Sequence, residues 1–257
     1  VTIYDKNEVS FEKKVNKPSA DVGDTVTYTI TGKVPEYAGF TTYTYLITDE
    51  MSDGLTFNKD VTVTVGGEDK TTDCVKQYDV DEKANKFTVS IPVMKYKVGD
   101  PITVTYTATL NKKAIAAISM NEATLEYSNN PTTDKTQTTT PQKQKVYSSQ
   151  IQIVKYKEGD KSTKLPGAKF VLYKEETGSG KKYFSCDAET KIVTWVDTID
   201  RATPVITDDN GAASFDGLAD GTYYLEETKA PEGYNPLEKP QKIEVKGDAN
   251  NKTSLTR

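Results

Sequence analysis

The 257-residue chain contains no histidine, which removes the commonest general base and the commonest metal ligand together. Ser-His-Asp, Cys-His and histidine–metal chemistries are thereby excluded. Several lysines, carboxylates and an asparagine extend rows of apolar residues. Because alternate residues of a strand share a face, Ile151, Ile153 and Lys155 line up together, and so do Tyr223, Leu225 and Glu227. The same parity groups Phe11, Lys13 and Val15, then Tyr43, Tyr45, Ile47 and Asp49, then Asn121, Ala123, Leu125 and Tyr127. Lys14 is the alternative to Lys13 but points the other way, with Glu12. A bare ammonium or carboxylate in a core is costly, and burial favours the neutral amine and the protonated acid. A neutral amine can attack a carbonyl.

The elements that must position these groups read as strands. Thr is abundant, and DTVTYTIT, VTVTV and PITVTYTATL alternate apolar with polar residues over strand-like lengths. Strands are expected at about 9–15, 25–34, 41–49, 61–66, 86–93, 102–110 and 121–128, then in QIQIVKYK, GAKFVLYK, AASFDGL, GTYYLEET and QKIEVKG. The best helical candidate, NKKAIAAIS around Ala114 to Ser119, is short. The expected class is therefore all-β, as two tandem immunoglobulin-like β-sandwiches. Residues 128–145 are nearly devoid of apolar side chains and read as a linker or an exposed strand-to-strand crossing. That sets a boundary near 146, with a short segment at 1–8, a first domain at 9–145 and a second at 146–257. Residues 176–207 read as a long insertion whose Trp195 anchors it to the sandwich.

Composition narrows the function classes. The formal charge of −5 is spread without a basic cluster, which argues against a nucleic-acid surface or an anionic-membrane patch. No apolar stretch is long enough to cross a bilayer, no signal peptide or sorting signal is read, and the chain is taken as a mature fragment. Cys74 and Cys186 fall in different domains and read as buried, inert thiols rather than a disulfide. Hydrolysis by paired carboxylates needs two facing acids, whereas here each candidate acid has a lysine for company.

In the second domain GTYYLEETKAPEGYN resembles the E-box of collagen-adhesin B-type domains, through Tyr223, Leu225, Glu227, Thr228, Ala230, Pro231, Gly233 and Tyr234. KLPGAKFVLY, from Lys164 to Tyr173, resembles the early part of the same domains, and the likeness covers nearly all of residues 148–257. It implies an intramolecular Lys-Asn isopeptide bond with Lys155 as the lysine and Glu227 as the promoting acid. The family's asparagine lies on the last strand. Asn250 and Asn251 stand in GDANNK, which reads as a polar turn before a final strand from Thr253. The partner is thus an asparagine beyond Arg257 or, alternatively, Asn251.

Residues 9–130 resemble the middle domain of backbone pilins from sortase-assembled Gram-positive pili: FEKKVN offers Lys13, YLITDEMSDGLTF offers Asp49 and MNEATLEYS offers Asn121. The resemblance implies a Lys13–Asn121 bond promoted by Asp49, the alternative being a Lys13–Asp49 ion pair without covalent chemistry. VTIYDKN resembles the pilin motif, whose lysine accepts the next subunit's C-terminal threonine from a sortase; it maps onto Lys6, with Asp5 where the motif has proline. The likeness implies an extracellular, cell-wall-anchored shaft subunit, joined head-to-tail to neighbouring subunits, a substrate of a sortase and no enzyme beyond its own single turnover. No cofactor is implied. Host surface proteins are further candidate partners, and the alternative function is the stalk or ligand-binding part of a surface adhesin.

Overall fold

Thr25–Lys33 turns Val26, Tyr28 and Ile30 inward. Pro101–Leu110 does the same with Ile102, Val104, Tyr106 and Ala108. The intervening threonines stay part-exposed, so each strand forms the half-buried surface that β-branched and aromatic residues favour. The computed structural model describes residues 9–115, 117–247 and 254–256. Among them there is no α-helix, only short 3-10 turns such as Lys112–Ala114. The protein is all-β, built as two tandem sandwiches.

The first unit comprises Thr25–Thr109, Ser119–Lys145 and the chain up to Lys17. One sheet runs in the order Phe11–Val15, Thr25–Lys33, Pro101–Leu110, Thr62–Val65, Glu68–Asp69, with Leu55–Phe57 also paired to Pro101–Leu110. The other runs Thr136–Thr138, Ile118–Ser128, Tyr45–Met51, Lys86–Ser90, Val75–Tyr78. Its inward rows are Tyr45, Ile47, Asp49 and Met51 beside Ser119, Asn121, Ala123 and Leu125. Residues 128–145 are not simply a linker, because Thr136–Thr138 and Gln142–Tyr147 both pair with Ile118–Ser128. Ladder bonds use the backbone alone and an edge strand needs no apolar row, so hydropathy did not reveal them. Two further short strands lie at Leu55–Phe57, where only Leu55 and Phe57 face the core, and at Val75–Tyr78 on the sheet edge, and the strand expected from 41 begins at Tyr45.

The second unit comprises Pro18–Asp24, Leu110–Ile118 and the chain from Val146. Ser149–Val154 lies between Ala212–Leu218 and Ser254–Thr256; the last pairing is parallel, with Gln150 opposite Ser254 and Gln152 opposite Thr256. The larger sheet runs Val193–Val196, Gly180–Cys186, Lys169–Glu176, Gly221–Lys229, Gln241–Val245, with Val205–Ile206 on Lys169–Glu176. Ile151, Ile153 and Phe215 from the smaller sheet meet Phe170, Leu172, Tyr223, Leu225 and Ile243 from the larger one. The stretch read as an insertion therefore supplies strands to the larger sheet. Trp195 stacks on Tyr223 at 5.6 Å and donates from Nε1 to Asp21 Oδ2 at 2.7 Å, so it does pin this region to the core. Cys74 is buried and free, whereas Cys186, also free and the last residue of its strand, is only half-buried against the core.

Candidate functional site

In the first unit, Lys13 comes from one sheet and its partners from the other. The Phe11–Val15 strand places Lys13 opposite Ile30, facing inward. Asp49 lies opposite Ala123, two positions from Asn121 on the neighbouring strand, so acid and amide are diagonal neighbours on one face. All three are buried, Lys13 at 2 % exposure and Asp49 and Asn121 at 0 %. Lys13 Nζ lies 2.5 Å from Asp49 Oδ2 and donates to Asn121 Oδ1 at 2.6 Å. Lys14 lies outside, exposed, against Glu12 at 3.2 Å.

The surroundings favour neutral species. Burial pulls the Lys13 amine below its ordinary value, against the opposing attraction of Asp49. Burial likewise pushes the Asp49 carboxyl up, against Lys13 and the Tyr106 hydroxyl. Aromatic rings line the pocket: Nζ is 5.3 Å from the Tyr28 ring centre and 5.8 Å from that of Tyr106. Asp49 Oδ1 is buried without a hydrogen-bond partner, a cost that a protonated carboxyl reduces. A neutral amine beside a carboxamide and a carboxylic acid has what acyl transfer to nitrogen requires.

In the second unit the pattern recurs with one partner fewer. Lys155 Nζ lies 2.9 Å from Glu227 Oε2; the glutamate side chain is 0 % exposed and that of the lysine 15 %. Tyr223, Leu225 and Glu227 form the inward row of Gly221–Lys229, and Phe170 lies opposite Glu227 in the ladder. The Leu237 N–H donates to Glu227 Oε2 at 2.8 Å, while Oε1 is buried without a partner. Lys155 is held through its backbone, its N–H donating to Gly211 O at 2.8 Å. Gly211 has φ +68°, and a Cβ there would stand 2.3 Å from the Lys155 carbonyl oxygen, so only glycine fits this approach. Asn250 and Asn251 lie outside the described residues, as does Lys6. Among the described residues no group of three or more His, Cys, Asp or Glu side chains could hold a metal.

Residues 22–131 match the family described as Gram-positive pilin backbone subunit 2, Cna-B-like domain, and residues 149–257 match the prealbumin-like fold domain. The chain is 28% identical to the trypsin-resistant surface T6 protein of Streptococcus pyogenes serotype M6, over 86% of its own length and 41% of that protein's. It thus spans about two fifths of the length of this curated relative. The crystal structure of the group B streptococcus pilus 2b backbone protein is 31% identical, with a TM-score of 0.71 over 95% of this chain and 96% of that one. The chain belongs to the Gram-positive pilus backbone proteins. At 20% identity, the pilus backbone protein of Streptococcus pneumoniae shares the fold, with a TM-score of 0.72 over 97% of the pilin and 100% of that chain.

Sequence reasoning missed several residues that touch the pilin's two pairs. Tyr106 and Tyr28 are directly opposite in the ladder and stack at 5.5 Å, and the Tyr106 hydroxyl reaches both Asp49 and Asn121. A hydroxyl on an inward row was the available signal, but tyrosine there reads as ordinary core. Leu237 acts through its backbone, which no side-chain pattern announces.

Proposed function

We propose that the pilin forms part of the shaft subunit of a covalently polymerised pilus, stabilised by an amide between Lys13 and Asn121. The observation that carries this reading is the buried contact of Lys13 Nζ with both Asn121 Oδ1 and Asp49 Oδ2. In the reaction Nζ bonds to Cγ of Asn121, the Cγ–Nδ2 bond breaks, and one proton of Nζ leaves with the nitrogen as ammonia. Asp49, neutral in the core, polarises the carbonyl and relays the proton. The chain is reagent and product at once, with no diffusible substrate.

The second domain makes an analogous bond from Lys155 with Glu227 as the acid. Its asparagine arrives along the last strand. Ser254 lies opposite Gln150 and Thr256 opposite Gln152; continued in register, Lys155 falls opposite position 259. On this reading the asparagine follows Thr256 rather than preceding Ser254. The buried, unpartnered Glu227 Oε1 is the oxygen left to meet that carboxamide.

Between subunits, Lys6 is the acceptor to which a sortase joins the next subunit, placing the polymer outside the cell and anchored to the wall. Lys6→Ala is expected to leave the fold intact and abolish the ladder of covalent multimers that sortase makes from the full-length subunit. A ladder unchanged in that variant would assign the acceptor to another lysine, and no ladder from the unaltered protein would contradict the shaft role.

A further inference from the structure

Resting on the Lys13–Asn121 ligation, we infer that Tyr106 is a catalytic residue of that reaction, handing a proton from Asp49 to the departing amide nitrogen. Lys13 Nζ offers hydrogens, so the Asn121 atom 2.6 Å from it is the carbonyl Oδ1. The amide nitrogen is consequently turned to Tyr106, whose oxygen accepts from Nδ2 at 3.1 Å. That hydroxyl gives its own hydrogen to Asp49 Oδ2 at 2.5 Å, the same oxygen that Lys13 Nζ meets at 2.5 Å. Nucleophile, acid, phenol and leaving nitrogen thus form one hydrogen-bonded chain.

The ligation needs such a path. One proton must travel from Nζ, where the new bond forms, to Nδ2, where the old one breaks. Asp49 touches Nζ, and the hydrogen-bonded route from it to Nδ2 runs through the Tyr106 oxygen. Once Nζ has added to Cγ, Nδ2 ceases to be a planar amide and gains a basic lone pair. The hydroxyl then rotates to donate to Nδ2 while taking the proton of Asp49, which takes one from Nζ. Ammonia leaves, the phenol is restored, and nothing is oxidised or reduced. Burial holds the phenol well above its ordinary value, keeping it protonated for this task. Its ring is fully buried, stacked on Tyr28 and edge-on to Phe87 at 4.8 Å, so the oxygen is fixed in place. The second site differs, because the extra donor on Glu227 is the Leu237 N–H, which cannot pass a proton on.

The test follows ligation in newly made chains, by cell-free synthesis, a chase under native conditions, and mass analysis of the Lys13 region. Tyr106→Phe keeps the ring and removes one oxygen; loss of ammonia is expected to slow by about 10²–10³-fold, within the range of general acid–base catalysis, with near-ultraviolet dichroism preserved. Replacing Tyr106 with 3-fluorotyrosine retains the hydroxyl and the packing but alters its acidity, and a rate change of at least about twofold is expected for a proton-transfer role. Should Tyr106→Phe fail to fold, the fluorinated chain decides alone. An unchanged rate in the fluorinated chain, or in a folded Tyr106→Phe, would overturn the role of Tyr106 while leaving the ligation standing. No ammonia loss in the unaltered chain would instead overturn the ligation itself.

Discussion

Lys13 and Asp49 hold one proton between them, whether drawn as an ion pair or as amine and acid, and their opposite shifts, both caused by burial, favour the neutral pair. Moving the proton within the pair changes no net charge, so ligation is expected to be flat with pH while the pair keeps that single proton. In acid the pair gains a second proton and the amine becomes an ammonium that cannot attack. In alkali the pair loses its proton, and the carboxylate can no longer polarise the amide. Chase experiments across a pH series check this: a plateau falling at both ends is expected, and a steady rise following free-lysine titration would contradict it. The resemblance to the pilin middle domain pointed to these three residues, and strand parity supports them because each is a polar interruption in an apolar inward row, Lys13 between Phe11 and Val15, Asp49 after Tyr45 and Ile47, Asn121 before Ala123 and Leu125. Tyr106 was not, since an aromatic residue between Val104 and Ala108 satisfies the same pattern without any chemistry.

At the scale of elements, Lys13 belongs to one sheet of its sandwich and Asn121 to the other, so the amide would fasten the two sheets across their core. It would close a loop of 108 positions, for which the entropy of the unfolded chain gives about 5 kcal/mol of stabilisation. Asn121→Ala removes the bond and keeps the lysine–acid pair, so it is expected to lose about that amount. Asp49→Ala also strands the buried amine without its acid, adding about 1–3 kcal/mol. Urea unfolding of the first domain should rank the unaltered protein above Asn121→Ala and Asn121→Ala above Asp49→Ala; equal midpoints for all three would refute the crosslink. Strands with strict alternation, Thr25–Lys33 and Pro101–Leu110, were readable from sequence. Thr136–Thr138 and Gln142–Tyr147 were not, because their pairing rests on backbone bonds at a sheet margin. The strands of the 176–207 region escaped because turns at 177–179 and 188–190 break the stretch into separate pieces.

For the whole molecule, the chain positions of the two ends of the bond matter more than its energy. Lys13 stands in the first strand of its sandwich and Asn121 in a late one. Tension entering before Lys13 and leaving after Asn121 would pass through the side-chain amide, bypassing the intervening strands. A polymer loaded from end to end would gain from that arrangement. Family membership comes from the comparisons; the bond is the physical claim that explains why a lysine, an acid and an amide are buried together. Proteolytic digestion of the unaltered protein followed by tandem mass spectrometry tests it most directly. A branched peptide joining Lys13 to Asn121, lighter by one ammonia than the sum of its two arms, is the expected result. Recovery of both arms as separate linear peptides, each at full mass, would contradict the account.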